Sequence, residues 1–521
     1  MTNFKHFIIK HSEIIAITAL AAVTLFFRFY KLSSIPFGLN NDAAWEGSAA
    51  YDILRRNITQ YLPYAADGWR GEGIIRVFVA VFTIVLGNNP IAIRLASTVF
   101  SVALIIPIYL LIRQLWTKRI AWLTTFLIAI SGWHITMGKT GWRAIAAPFF
   151  GSITLYFWFK AIRSSRMRDF IYTGICLAGS LYTYDAARIF PFFFALLFLQ
   201  YVMVKHTADK QKIMNIIVLI TSFFITSLPM LIYGITHWAN FTSRGDYLFI
   251  GHDITLQHSL SPLWDNIKIA FLLFTRSANG NDFFIFEPLL DQPARLFFPI
   301  GIVVSMWQII IKKRIIYGIL LLWFVFSLLP GILSVPNGNR AIGAIPPVYF
   351  FSAVGILWII DLCTYLLRGK IKQVVSICAL SIVCCIGINN TYRIYLGPER
   401  RELPGFYPET FVTMPYIKPY IETYDIYVTD NFPRELLTYF LYIDGNPFYK
   451  NYTWLEHNTD FLTVTPNPKK GILFVMWDIS GNYPITEELL TVYPQATEMH
   501  IPYVNDQISR SASILIAVPP R

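Results

Sequence analysis

Charge is scarce in this sequence, and its scarcity decides the class of protein. Only 14% of the residues are charged against 55% hydrophobic, whereas a soluble globular chain carries about 25% charged residues. A protein so composed cannot bury its apolar residues in one water-facing globule, so a soluble enzyme is excluded. Cysteine is sparse as well. The five cysteines, Cys176, Cys363, Cys378, Cys384 and Cys385, all lie in or beside apolar runs, and none follows. No Cys-x-x-Cys or Cys/His spacing encodes a metal site, and the C-terminal region is not stapled by disulfides. Gly-x-Gly-x-x-Gly and Walker patterns are missing, which removes the usual sequence basis for nucleotide binding. Internal repeats and low-complexity tracts are missing too.

What is present is a succession of apolar runs near the ~20 residues that cross a bilayer. They fall at Glu13–Tyr30, Ile91–Ile112, Ile120–Thr136, Ala144–Phe159, Phe170–Tyr182, Ile189–Val204, Ile213–Tyr233, Arg295–Ile311, Ile315–Leu333, Ala341–Leu362 and Ile371–Ile388. The first run has no small-residue cleavage site and reads as a retained helix rather than a signal peptide. Ile74–Leu86 is apolar but short, and reads as an interfacial or re-entrant helix. The net charge of +12 sits in clusters between the runs, such as Arg113/Lys118/Arg119, Lys160/Arg163/Arg166/Arg168 and Lys312/Lys313/Arg314. That is the positive-inside pattern, so the excess charge orients the protein and argues against nucleic acid as a partner.

The expected fold is an α-helical polytopic membrane protein of about eleven transmembrane helices over residues 1–390. Its N-terminus is expected in the cytoplasm of a cell (inner or plasma) membrane. A first outer loop spans 31–90 and a long, acidic outer loop 236–293. From about Asn390 long apolar runs stop, and a small extracytoplasmic α/β domain is expected over 391–521. Tyr424–Thr429, Ile472–Trp477 and Ser513–Val518 read as its buried strands, Pro433–Tyr442 and Thr486–Val492 as its helices.

The first outer loop holds the most unusual chemistry. PFGLNNDAAWEGSAAYDILRRNITQYLPYAADGWRGEG gathers Asp42, Glu46, Asp52, Asp67 and Glu72 with Arg55, Arg56 and Arg70 between long apolar runs. Asn40–Asn41–Asp42 is helix N-cap chemistry, and Ala43–Leu54 reads as a short amphipathic helix. Acids at the mouth of a membrane helix are costly without a use. Glu46 and Asp52 are expected on the solvated face of that helix.

DAAWEGSAAYDIL after a first span, GNNPIAIRLASTVFSVALIIPIYLLIRQL, ISGWHITMGKTGWR and SLYTYDAARIFP together resemble the GT-C glycosyltransferases over residues 10–360. The nearest groups are the protein O-mannosyltransferase and lipid A aminoarabinose transferase families. The resemblance implies a GT-C fold, a polyprenyl-phosphate-linked sugar donor, and transfer at the outer face to a protein, glycan or lipid acceptor. It matches Asp42 to the family's catalytic aspartate and Glu72 to its second acid. Ala43 stands where many members have Glu, and Gly73 where the aminoarabinose group has Lys, leaving Arg70 as the substitute cation.

The residues themselves are compatible with that chemistry. Transfer from a lipid phosphate to a hydroxyl needs a base near the nucleophile and cations near the departing phosphate. Asp42 can supply the base. Arg70, Lys139, Arg143, Arg188 and Arg340, each at the outer end of a span, are candidate cations. Arg70, Arg143, Arg188 and Arg340 are expected to ring the phosphate, with at least one serving only as an interfacial anchor. Glu46 and Tyr184 are candidate substrate contacts. No metal site or cofactor is specified, although Asp42 and Glu72 could pair around a divalent ion. Against these stand blander readings: Asp42 as a helix cap, Tyr182, Tyr184 and Trp142 as an interfacial aromatic belt, His134 as a packed histidine. The rival function is a transporter or flippase of lipid-linked sugars, but transporters place charge near the bilayer midplane, and here charge collects at span ends.

Overall fold

The computed structural model describes residues 2–55, 64–65, 71–87, 89–204, 210–278, 287–396, 406, 408–429, 452–455, 458–465, 469–477, 484–505 and 508–520. Helices dominate. In chain order they are α1 (Thr2–Phe29), α2 (Asn41–Leu54), α3 (Ile74–Leu86), α4 (Pro90–Ala103), α5 (Ile105–Leu115), α6 (Lys118–Ala129) and α7 (Gly132–Lys139). Then come α8 (Ala146–Ser164), α9 (Met167–Leu181), α10 (Phe190–Val204), α11 (Lys210–Thr236), α12 (Trp238–Leu248), α13 (Gly251–Gln257) and α14 (Ser261–Leu272). The last of the bundle are α15 (Ala294–Ile310), α16 (Ile316–Ile332), α17 (Ile345–Cys363) and α18 (Gly369–Tyr395). Strands β1 (Tyr64–Ala65) and β2 (Gly71–Glu72) pair antiparallel in the first loop.

Each expected apolar run falls on a helix or on two consecutive ones. Among the described residues, six segments have the length and apolar composition to cross a membrane: Pro90–Leu115, Arg143–Ser164, Asp185–Met203, Lys210–Thr236, Ile342–Cys363 and Gly369–Tyr395. Helices α6 and α7 would make a seventh, and α3, α15 and α16 are shorter apolar helices. Ile371, Val374 and Ile377 on α18 and Phe224, Ile225 and Leu228 on α11 are all exposed. Apolar surface of that extent needs lipid around it. Helices α15 and α17 pack backbone to backbone: a Cβ on Gly301 would run into the Phe351 carbonyl oxygen, and one on Gly355 into that of Phe297. Only a residue without a side chain permits that approach.

The run Ile120–Thr136, expected as one straight span, is broken. Its halves α6 and α7 meet at a 52° bend. Ser131 caps α7 by accepting from the His134 N–H at 3.1 Å, and Asp291 accepts from the Gly132 N–H at 2.6 Å. The carbonyls freed on the α6 side are also taken: Arg28 donates to Ile128 O at 3.0 Å and to Ala129 O, and Thr391 to Ile130 O at 2.6 Å. A break in a membrane helix survives when its backbone groups find such partners.

Beyond α18, helix α19 (Pro408–Ile417) precedes a five-stranded sheet of β3 (Tyr424–Thr429), β4 (Tyr452–Leu455), β5 (Gly471–Trp477), β6 (Thr497–Asn505) and β7 (Ile508–Val518). Its order is β4-β3-β5-β7-β6; β3 is parallel to β4 and β5, and β7 is antiparallel to β5 and β6. Alternate residues of β5 serve two cores. Leu473 and Val475 join Met414 and Ile417 of α19, while Ile472, Phe474 and Met476 join Phe461 and Leu489 of α20 (Pro484–Val492). A strand covered on both faces reads as a continuous apolar run, which is why β5 was visible in sequence. Strands β4 and β6 and helix α19 were not foreseen. Pro433–Tyr442 lies outside the described residues.

Candidate active site

The approach to α2 is held from two sides. Arg94 of α4, 1% exposed, donates to the carbonyls of Leu32 at 2.7 Å, Pro36 at 2.8 Å and Gly38. The Leu39 N–H donates to the Phe406 carbonyl at 2.7 Å. Helix α2 then starts with Asn40 as its cap, the Asn40 side chain accepting from the Ala43 N–H at 2.7 Å. The cap is therefore Asn40, and Asp42 is a first-turn residue, half-buried, with its carboxylate at the positive end of the helix dipole. The loop after α7 is brought against this turn by Gly141, whose φ of 78° suits glycine. A Cβ at Gly141 would press on Ile93 and on Ala43 beside Asp42.

From there an alternating chain of ionic contacts crosses the protein. Arg76 Nε lies 2.8 Å from Glu46 Oε2, and Arg143 Nη1 2.8 Å from Glu46 Oε1. Arg143 Nε lies 3.4 Å from Glu72 Oε2. Arg188 Nη2 lies 3.4 Å from Glu72 Oε1 and 2.7 Å from Asp185 Oδ1. Arg76, Glu46, Arg143 and Glu72 are fully buried, whereas the Arg188 and Asp185 side chains keep 24% and 32% of their exposure. The chain thus starts in the core and ends in the open. Asp42 is close enough for its charge to act on Arg143. The Arg143 guanidinium also sits 4.7 Å from the Trp142 ring and 5.7 Å from the Tyr184 ring. Burial pushes the Glu72 carboxyl up to about 8; the charge and a side-chain hydrogen bond of Asp185 push the same way, while Arg188 and Arg143 pull it down.

The open end of the chain borders a cavity of about 410 Å³ lined by Tyr184, Asp185, Arg188, Phe241, Asp246, Leu333, Ser334 and Arg340, among others. Arg340 also lines a tight apolar pocket of about 30 Å³ with Phe190, Trp323 and Phe326. A polar mouth with two arginines thus adjoins an aromatic slot.

The sequence-predicted residues fare differently. Asp42, Glu46, Glu72, Arg143, Tyr184 and Arg188 come together, and Arg340 shares the cavity with Tyr184 and Arg188. Glu46 is not on a solvated face: it pairs with Arg76 and Arg143 in the core. Asp52 is half-buried rather than solvated. Lys139 is elsewhere: it is 2% exposed and donates to the Tyr30 carbonyl at 2.7 Å. Arg70 lies outside the described residues. Trp142, Tyr182 and Tyr184 are buried at 2%, 4% and 5% exposure, so they form no lipid-facing belt. His134 is packed, its Nδ1 2.7 Å from Arg28. Among the described residues no three His, Cys, Asp or Glu side chains gather to hold a metal ion. Asp185 and Arg76 were missed. Each had a local signal, Asp185 three residues before Arg188 and Arg76 four after Glu72.

Residues 74–233 match the dolichyl-phosphate-mannose-protein mannosyltransferase family. No curated protein matches the chain by sequence. Among solved structures, ArnT from Cupriavidus metallidurans in the apo state superposes with a TM-score of 0.59 at 10% identity, over 97% of this chain and 98% of that one. This is the GT-C glycosyltransferase fold. ArnT bound to undecaprenyl phosphate gives 0.55 at 11% identity over the same shares of the two chains. The apo oligosaccharyltransferase of Archaeoglobus fulgidus gives 0.54 at 15% identity, over 89% of this chain and 69% of that one. Within the GT-C fold of this protein, the family match covers α3 to α11, which carry Arg76, Arg143, Asp185 and Arg188.

Proposed function

We propose that this protein is a membrane glycosyltransferase that moves a sugar from a polyprenyl-phosphate-linked donor to an acceptor hydroxyl on the extracytoplasmic face. Asp42 is the general base. The observation that carries the reading is that Asp42 lies near enough to act on Arg143, and Arg143 leads through Glu72 to Arg188 at the two-arginine cavity. The donor reading draws support from the ArnT structure that carries undecaprenyl phosphate, and from an archaeal oligosaccharyltransferase solved with an inhibitory peptide and a dolichol-phosphate.

The step follows from these residues. The acceptor hydroxyl gives its proton to the Asp42 carboxylate as its oxygen bonds to the anomeric carbon. The bond from that carbon to the phosphate oxygen breaks, and its electron pair leaves with the polyprenyl phosphate. Arg188 and Arg340 meet the negative charge that develops there, where planar guanidinium groups match phosphate oxygens. Arg143 acts indirectly, because Glu46 and Glu72 occupy it.

Glycan and lipid profiling of a deletion strain against wild type would identify the product, and complementation would test the base. Wild type should restore the missing glycoconjugate and Asp42→Asn should not. Full restoration by Asp42→Asn would remove Asp42 from the chemistry.

A further inference from the structure

The end of the ionic chain has a feature that base-and-cation chemistry leaves unused. One guanidinium, Arg188, touches two carboxyl groups at once: Asp185 Oδ1 at 2.7 Å and Glu72 Oε1 at 3.4 Å. Both carboxyls meet on the same nitrogen, Nη2, and so lie beside each other. Carboxylates in contact cannot both ionise cheaply, and an acid that shares a site with another holds its proton more tightly. Asp185 and Arg188 line the cavity, while Glu72 is wholly buried behind them.

Resting on the donor reading above, we propose that Asp185 is a positioning residue for the donor phosphate. It aims Arg188 into the cavity and, with Glu72, forms a carboxyl pair that takes up one proton when an anion docks against Arg188.

The charges around Glu72 explain the direction. Arg143 reaches it from the turn before α8, but Glu46 of α2 already occupies that guanidinium, together with Arg76 of α3. Arg188 and Asp185 reach it from the turn before α10. Its backbone partner across the small sheet is Tyr64. With Glu46, Glu72 and Asp185 all ionised, the three acids already balance the charges of Arg76, Arg143 and Arg188. A phosphate arriving at Arg188 adds negative charge that none of these three cations is left to match. The least costly adjustment is a proton on Glu72, the more buried of the two acids. Burial has already raised that carboxyl towards neutrality. Anion binding and protonation then help one another, and the coupling is reciprocal.

The test is the binding of undecaprenyl phosphate to the full chain in nanodiscs, from pH 6.5 to 9.5, for wild type, Glu72→Gln, Asp185→Asn and Asp185→Glu. The ligand's own titration is common to all four and cancels in ratios to wild type. Above about pH 8 wild-type affinity should fall by up to about tenfold per pH unit relative to Glu72→Gln, as a one-proton linkage requires. Asp185→Asn should weaken binding several-fold throughout and move the onset of the fall to lower pH, since Glu72 loses its acidic neighbour. Asp185→Glu should recover part of both. Equal slopes in wild type and Glu72→Gln, or an Asp185→Asn protein indistinguishable from wild type, would overturn the proposal while leaving the donor reading intact. Wild type that binds no undecaprenyl phosphate at any pH would overturn both. Thermal unfolding of each variant guards against misfolding: a variant that binds weakly but melts as wild type speaks for positioning, and one that also melts early speaks against it.

Discussion

Arg143 and Glu46 meet at 2.8 Å with neither side chain reached by solvent. Glu46 is also the partner of Arg76 at 2.8 Å, so one carboxylate pairs with two buried guanidinium groups. Removing a single partner from such a cluster leaves charge uncompensated in the interior, at a cost of ~3–5 kcal/mol. Glu46→Ala should therefore be among the most destabilising single changes in the first loop. Thermal unfolding in detergent is the measurement, and a melting temperature within error of wild type would contradict the assignment.

The caps and the base separate at neighbouring residues. Asn40→Ala should cost ~0.5–2 kcal/mol, the value of a lost N-cap, with transfer largely retained. Asp42→Asn should melt like wild type and lose ~10²–10⁴-fold in transfer rate. The reverse pattern in the two variants would show that Asp42 is structural.

Glu72 predicts how stability responds to pH. Its carboxyl is raised from an ordinary 4.5 to about 8 by burial and by Asp185. Between those values the folded protein keeps a proton that the unfolded chain has released. The stability Glu72 contributes is therefore complete below pH 4.5, declines as pH rises, and is lost above about 8. The melting temperature of wild type relative to Glu72→Gln should fall across that window, by at most ~1.4 kcal/mol per pH unit in stability, and level off beyond it. A difference that does not change with pH would mean that Glu72 is ionised in the fold.

The close approach of α15 and α17 predicts a purely steric lesion. Gly301→Val and Gly355→Leu should each disrupt the bundle, because the added atoms meet backbone carbonyls rather than flexible side chains. Gly369, whose Cβ would meet nothing within 4 Å, offers a control: Gly369→Asn should insert normally, since Asn tolerates its positive φ. Fluorescence-detected size-exclusion profiles after extraction would separate these outcomes.

Arg188 and Arg340 line the same cavity. Alanine at either should raise the apparent KM for the lipid donor by more than it lowers kcat, with larger effects in the double variant. Arg143→Ala should instead reduce the amount of folded protein, since it strands Glu46 and Glu72. Equal behaviour of all three would argue against a division between cavity arginines and a core arginine.

Hydrophobic length and basic clusters made the helical bundle legible, because the bilayer imposes both on any spanning chain. The broken α6–α7 run was invisible for a physical reason. Its backbone is satisfied by Arg28, Asp291 and Thr391, which are distant in sequence. Asp42 and Glu72 were legible as acids in an apolar setting. Glu46 was misjudged because a helical position says which face a residue occupies, and not what covers that face. Strands β5 and β7 showed as apolar runs, whereas β6, with His500 exposed and Glu498 half-buried along it, reads as polar chain.

The hold on the loop before α2 also bears on when the protein can become competent during synthesis. The Phe37 and Phe411 rings meet at a tilt with centroids 6.1 Å apart, and the Leu39 N–H reaches the Phe406 carbonyl. These partners emerge from the ribosome more than 360 residues after the segment they brace. Until then Arg94 alone, of these contacts, steadies the stretch leading to Asp42. A nascent chain with its bundle already inserted therefore still lacks part of the frame around its base, and the delay is written into the order of the sequence.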